Sequence, residues 1–200
     1  MAVTKRFFAF ILVLLLSTGV CSGENLLPIK RFVIPQNGMY PSLPAKSTFW
    51  VINRPYLKLD TIARGDIVVF SQERDGETYD FVWRVIGLPG DHIVLKGISI
   101  TINGNELSRT ANEETPTSII YKENLNGVEY HVAYSKNPPS ERRIDLDLNV
   151  PQDQLFLMGD NRDQAWDSRF TGLIPIDRIL GRKINRAVTS GERRGGDSGI

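Results

Sequence analysis

Ile98-Ser99-Ile100-Thr101-Ile102-Asn103-Gly104 decides the class of fold. Three isoleucines alternate with two hydroxyl residues, the period-two pattern of a strand with one buried face. Asn103-Gly104 closes the run, because this pair tolerates the positive backbone angles of a two-residue hairpin turn. Downstream, Asn126-Gly127 introduces Val128, Tyr130, Val132 and Tyr134 at the same spacing. Upstream lie short β-branched and aromatic runs at Thr48 to Asn53, Asp66 to Phe70, Asp80 to Ile86 and His92 to Leu95, broken by turn residues. No long 3.6-residue apolar period follows Gly23, so the fold class reads as mainly β, an antiparallel sheet core. From residue 103 to 150 the chain turns more polar, with Pro116, Pro138 and Pro139, and reads as an inserted β-rich cap. The core is then built from 24–102 and 151–188, and 189–200, rich in Gly, Arg and Ser, reads as a flexible tail.

At 200 residues, 41% hydrophobic and 24% charged, the composition is that of a globular protein. Twenty-four basic against 23 acidic side chains leave a net charge of +1, which offers no electrostatic case for nucleic acid. Lys5 and Arg6 precede the apolar run Phe7 to Leu16, and the small, weakly polar Ser17 to Gly23 follows. That order is the export signature. Ten apolar residues span about 15 Å as a helix against a hydrocarbon core of about 30 Å, so 1–23 reads as a cleavable signal in preference to a short anchor. Cys21, the only cysteine, sits beside that signal and forms no intramolecular disulfide.

Three further segments carry chemistry. Arg64-Gly65-Asp66-Ile67-Val68-Val69-Phe70 alone reads as a turn feeding a buried strand, and Arg84-Val85-Ile86-Gly87-Leu88-Pro89-Gly90-Asp91 as a strand ending in a tight turn. Met158-Gly159-Asp160-Asn161-Arg162-Asp163-Gln164-Ala165-Trp166-Asp167-Ser168-Arg169 is more specific. Its density of Asp, Asn and Arg suits a metal site, a catalytic site or a side-chain-to-backbone scaffold. The Asp160, Asp163 and Asp167 spacing lacks the glycine and terminal glutamate of a calcium loop. His92 and His131 have no Cys or Glu at ligand spacing. No metal and no cofactor are expected.

Together with Gly38-Met39-Tyr40-Pro41-Ser42-Leu43, these segments, in this order, resemble the boxes of the type I signal peptidases. The first is similar to that family's Ser-Met-x-Pro-Thr-Leu box. The resemblance runs from about Ile34 to Lys183 and is loose in the middle. It implies a serine endopeptidase with a Ser-Lys dyad, working at the outer face of a membrane on an antiparallel β fold with an inserted β domain. In that chemistry a serine hydroxyl attacks the peptide carbonyl and a lysine kept neutral by burial takes the proton.

This chain departs from the pattern at the reactive groups. Gly38 stands at the nucleophile position and has no side chain. Trp83 stands at the general-base position, where an indole N–H donates but accepts no proton. Ala165 replaces a serine that contacts the lysine, and Gln36 stands where many relatives place a hydroxyl. Trp83 and Ala165 read as a large-for-small exchange that refills the dyad cavity. Asp66, Arg84, Asp160, Asn161, Arg162, Asp167 and Arg169 remain, as the scaffold the resemblance places around the site. Ser42 and Ser168 are poor substitute nucleophiles, and Lys46, Lys58 and Lys96 read as solvated charges. Removing a serine nucleophile lowers turnover by about a million-fold.

The expectation is an exported, non-catalytic signal-peptidase-like protein at the outer face of the cytoplasmic membrane or in the periplasm. It would bind an extended peptide or an exported protein by strand addition, with Gln36, Met39, Tyr40, Pro41 and Leu43 as cleft candidates and the membrane surface close by. A role assisting surface assembly fits the resemblance. The rivals are an active peptidase with a rearranged site and a structural subunit of a secretion or conjugation complex.

Overall fold

Seven antiparallel strands carry the site. The computed structural model describes residues 28–54 and 57–184. In chain order the strands are β1 (Ile29–Val33), β2 (Thr48–Asn53), β3 (Ile67–Arg74), β4 (Glu77–Gly87), β5 (His92–Lys96), β6 (Ser99–Ile102), β7 (Asn105–Glu106), β8 (Ser108–Glu114), β9 (Ser118–Leu125), β10 (Val128–Ser135), β11 (Leu146–Asn149), β12 (Gln154–Met158), β13 (Ile174–Pro175) and β14 (Ile179–Lys183). One short helix, α1 (Ser168–Thr171), follows β12. The large sheet runs β1-β2-β14-β3-β4-β12-β13, beside a three-stranded sheet β10-β9-β8 and a four-stranded sheet β11-β5-β6-β7. The mainly β, antiparallel architecture expected from the period-two runs is the one observed.

Alternation explains the layers. Val68, Phe70 and Val85 pack on one face of the large sheet with Leu155, Leu157 and Ile179. Ile67 and Val69 face the other way, among Ile34, Met39, Leu43, Phe49 and Val51. Trp83, on β4, packs against both groups. A third cluster joins Ile93, Leu95, Ile100 and Ile102 to Tyr130, Val132 and Tyr134, and to Ile86, Phe156 and Met158 of the large sheet. Turn chemistry sets the hairpins: Asn103 and Asn126 take positive φ, followed by Gly104 and Gly127. Asp75-Gly76 does the same between β3 and β4, a turn signal the sequence carries but the strand reading passed over.

One boundary differs from expectation. The segment ahead of residue 103 does not belong to the large sheet: β5 pairs β11 and β6, so the second sheet system begins at His92 and closes at Asn149. The pivot is Asp91. Its carboxylate accepts from Arg64 Nε (3.0 Å), Leu88 N (2.7 Å) and Asn103 Nδ2 (2.8 Å), turning the chain out of β4 and into β5. Residues 1–23 and 189–200, expected as signal and tail, lie outside the described residues. Among the described residues no helix is long and apolar enough to cross a membrane.

The second sheet system is locked to the core by buried charge. Arg162 Nη1 and Nη2 donate to Glu123 Oε1 (2.8 Å) and Oε2 (2.5 Å), and Nη1 also reaches Tyr134 Oη (3.1 Å). Both charged side chains are 0% exposed. Burial works against the Arg162 charge, and the Glu123 carboxylate more than offsets it, holding the guanidinium well above its ordinary pKa.

Two outcomes follow. Arg162→Met strands the Glu123 carboxylate and should lower the urea-unfolding free energy by about 3–5 kcal/mol, whereas Arg162→Met with Glu123→Leu should cost less than the single change. Burial tends to raise the Asp91 pKa, but Leu88 N–H, Arg64 and Asn103 outweigh it, so Asp91 titrates below its ordinary value. A depressed folded-state pKa gives stability that is present above the unfolded value, about 3.9, and lost as pH falls below it. Thermal melts between pH 6 and pH 2 should therefore show a shallower acid loss in Asp91→Asn than in the natural chain.

Candidate functional site: a tryptophan packed against two glycines

A single turn of 3-10 helix, Asn37–Met39, follows the extended Gln36 and presents Gly38 to the interior. Asn37 Oδ1 accepts from Ala45 N (2.9 Å), and Leu43 N donates to Met39 O (2.8 Å), which closes the segment into a compact loop. The third box is stitched to it. Asn161 N donates to Gly38 O (3.0 Å), and Asn161 Nδ2 donates to Asn37 O (3.1 Å).

Gly38 is needed for space, since its φ lies outside the left-handed region. A Cβ built on it would lie 2.5 Å from Trp83 Cη2 and 2.6 Å from Cζ3. Across the same ring, a Cβ on Gly159 would lie 2.6 Å from Gly38 O and 2.9 Å from Trp83 Cζ3, and would overlap the Ala165 methyl. The indole edge therefore lies against both glycines, with Ala165 behind Gly159. Gly38, Trp83 and Ala165, expected in place of nucleophile, base and lysine-orienting serine, meet at one point. Side-chain volume is small at positions 38, 159 and 165 and large at position 83.

Around this plug stand carboxylate-guanidinium pairs. Arg84 Nε donates to Asp160 Oδ1 (2.8 Å) and Nη2 to Oδ2 (2.6 Å), while Nη1 reaches Gly65 O (2.7 Å) and Nη2 Ser42 Oγ (3.2 Å). The guanidinium lies 4.0 Å from the Tyr130 ring centre. Burial opposes its charge, but Asp160 outweighs burial and the pKa rises. Burial also raises the pKa of the Tyr130 phenol. Asp167 caps α1, accepts from Gly159 N (2.8 Å), and pairs with Arg169 Nε (2.8 Å) and Nη2 (2.8 Å). Arg169 Nη2 continues to Arg162 O (2.5 Å).

The structure thus brings together Arg84, Asp160, Asn161, Arg162, Asp167 and Arg169. Asp66 stands apart: its carboxylate accepts from Ala63 N (2.9 Å) and Arg182 Nη1 (3.2 Å), and only the backbone of its turn touches the Arg84 group. Two cleft candidates are corrected. Met39 is 1% and Leu43 6% exposed, both in the core, because the loop closure turns them inward. Phe49 is buried with them. Gln36 is exposed, Tyr40 and Pro41 are half-buried, and Pro41 forms a bridge to Val132 of β10.

Among the described residues, neither substitute serine has a base as a hydrogen-bond partner. Ser42 Oγ donates to His131 O (3.2 Å) and accepts from Arg84, and Ser168 Oγ accepts from Leu157 N (3.0 Å). Among the described residues no cluster of His, Cys, Asp or Glu is placed to hold a metal. Sequence reasoning missed Glu123, an acid flanked by Lys122 and Asn124 in the strand Ser118–Leu125. It also missed Lys183, whose ammonium is pushed down by burial and, secondarily, by the Arg84 charge.

The chain belongs to the signal peptidase family, peptidase S26, whose model matches residues 4–187. It is 28% identical to a signal peptidase I of Bacillus caldolyticus over 82% of this chain and 81% of that one. It is 32% identical to the signal peptidase I P of Bacillus subtilis subsp. natto, over 75% of this chain and 72% of the relative. A solved signal peptidase I from Enterococcus faecalis V583 matches at 24% identity and a TM-score of 0.38, covering 61% of this chain and 96% of that chain.

The plug makes positions 38 and 83 energetically coupled. Gly38→Ala in the natural background should destabilise by about 1–3 kcal/mol through overpacking. In a Trp83→Ala background the same methyl has room, and its cost should fall to near zero. Urea unfolding of the four proteins reads the coupling directly, and additive costs would mean that the ring does not hold the glycine.

Proposed function

We propose that this chain is a signal-peptidase-like protein without peptidase activity that binds an extended peptide or an exported protein. One observation carries the reading: the Trp83 ring occupies the volume that a side chain at position 38 would need. A hydroxyl nucleophile has no place there, and an indole N–H cannot take its proton. Gly38 and Trp83 are on this reading the degenerate dyad, with Asp160, Asn161, Arg162, Asp167 and Arg169 kept because they hold the fold.

Support for peptide binding comes from strand edges. β1 is an outer strand of the large sheet, and β4 pairs only with β3 from Glu77 to Trp83, since β12 meets it only between Arg84 and Gly87. Backbone N–H and C=O groups on such edges are templates for an added strand. Ile29, Val33 and Trp50, exposed on neighbouring β1 and β2, would face a lipid surface or partner. The N-terminal export pattern supports a location at the outer face of the cytoplasmic membrane or in the periplasm.

A second reading, a peptidase with relocated groups, has one observation in its favour. Lys183 has a lowered pKa near Arg84, and Arg84 touches Ser42. Cleavage that disappears in Ser42→Ala and in Lys183→Met would establish that reading. The peptide-binding proposal is tested by titrating the purified chain with signal-peptide-like peptides, followed by amide exchange. Saturable binding with slowed exchange in β1 and in residues 77–83 is expected. Absence of saturation at high micromolar peptide would contradict it.

A further inference from the structure

Asn-Gly occurs three times in the chain, at 37–38, 103–104 and 126–127. This pair is especially open to deamidation, because glycine sets no side chain between its own nitrogen and the preceding carboxamide. The glycine nitrogen bonds to the asparagine Cγ and loses its proton to solvent, and ammonia leaves. Water then opens the cyclic imide to aspartate or isoaspartate. The carboxamide must be free to swing, and the glycine nitrogen must have space around it.

Two of the three pairs fail these conditions. Asn103 is held at both ends of its amide: Oδ1 accepts from His92 N (2.8 Å), and Nδ2 donates to Asp91 Oδ1 (2.8 Å). Asn37 Oδ1 accepts from Ala45 N (2.9 Å), and its backbone oxygen accepts from Asn161 Nδ2 (3.1 Å). Gly38 beside it is crowded, since a Cβ there would lie 2.5 Å from the Trp83 ring.

Asn126 meets them. It is exposed, and among the described residues its carboxamide has no hydrogen-bond partner. Backbone does not separate it from Asn103: φ is 52° at Asn126 and 51° at Asn103, followed by 87° at Gly127 and 79° at Gly104. A Cβ built on Gly127 would meet nothing within 4 Å. A cleft of about 190 Å³, whose lining includes Arg64, Asn105, Glu106 and Asn126, gives the amide room to turn. One restraint remains, a bond from Gly127 N to the exposed Asn124 Oδ1 (2.9 Å). Exposed bonds like this one trade with water at little net cost. We propose that Asn126 is a self-modification site, passing to aspartate and isoaspartate in the folded chain while Asn37 and Asn103 keep their amides. Isoaspartate adds one methylene to the backbone of the β9–β10 turn, and β10 carries Val132 and Ala133, which bridge to Pro41 and Asn161. The modification is independent of whether the chain cleaves or binds peptide.

The test ages the natural full chain at mildly alkaline pH, folded and in parallel unfolded in urea. Proteolysis and fragment mass spectrometry then locate each deamidated residue, and the unfolded chain supplies the reference rate at each pair. Relative to that reference, Asn126 in the folded chain should lose its amide at least about tenfold faster than Asn103, since two hydrogen bonds must break before Asn103 can react. Both aspartate and isoaspartate should appear at position 126. An amide retained at Asn126 after the unfolded chain has reacted would overturn the proposal. So would reaction at Asn37 or Asn103 in the folded chain as fast as at Asn126.

Discussion

The bidentate pair between Arg84 and Asp160 is the constraint on which the rest of the molecule depends. It joins β4 to the loop after β12, and it reaches two more turns through Gly65 O and Ser42 Oγ. Tyr130 lies under the same guanidinium, so β10 is held to the group as well. A buried pair of this kind returns little net stability compared with an apolar substitute, yet losing one partner is costly. Its effect is to fix register: with Arg84 held, Trp83 immediately before it points toward Gly38 and Gly159.

On the proposed reading, that arrangement gives a physical reason for the charged shell to persist without the reactive groups. The pairs Arg84–Asp160 and Arg162–Glu123 bridge separate strands and loops, Arg169–Asp167 braces the start of α1, and each satisfies a buried charge. Deleting any of them disturbs folding whether or not the chain performs chemistry. The space among them is governed by volume alone. A small set of residues at 38, 159 and 165 accommodates one large residue at 83, and packing is maintained. On the proposed reading, catalysis and fold separate cleanly along this line.

Much of this was legible in the sequence, for identifiable reasons. Strand positions followed from period-two alternation, and Thr48–Asn53 and His92 onward appear where the β-branched runs put them. Hairpins at Asn103-Gly104 and Asn126-Gly127 followed from backbone chemistry. Sheet membership did not, because Ile93 and Leu95 alternate identically whichever sheet receives them, and only the Asp91 hydrogen bonds decide it. The burial of Met39 and Leu43 depends on a loop closed by Asn37 and Ala45, a contact with no periodic signature. Glu123 is hidden for a similar reason: its partner Arg162 is 39 residues away.

The central claim concerns chemistry, and a preprotein cleavage assay addresses it most directly. The natural chain, Gly38→Ser with Trp83→Lys, and the same pair with Ala165→Ser would be incubated with a preprotein, and the products sized by mass spectrometry. The account predicts no cleavage by the natural chain, and cleavage on reversion, strongest when Ala165→Ser restores the hydroxyl that orients the lysine. Specific cleavage by the natural chain at the rate of a reverted variant would contradict it.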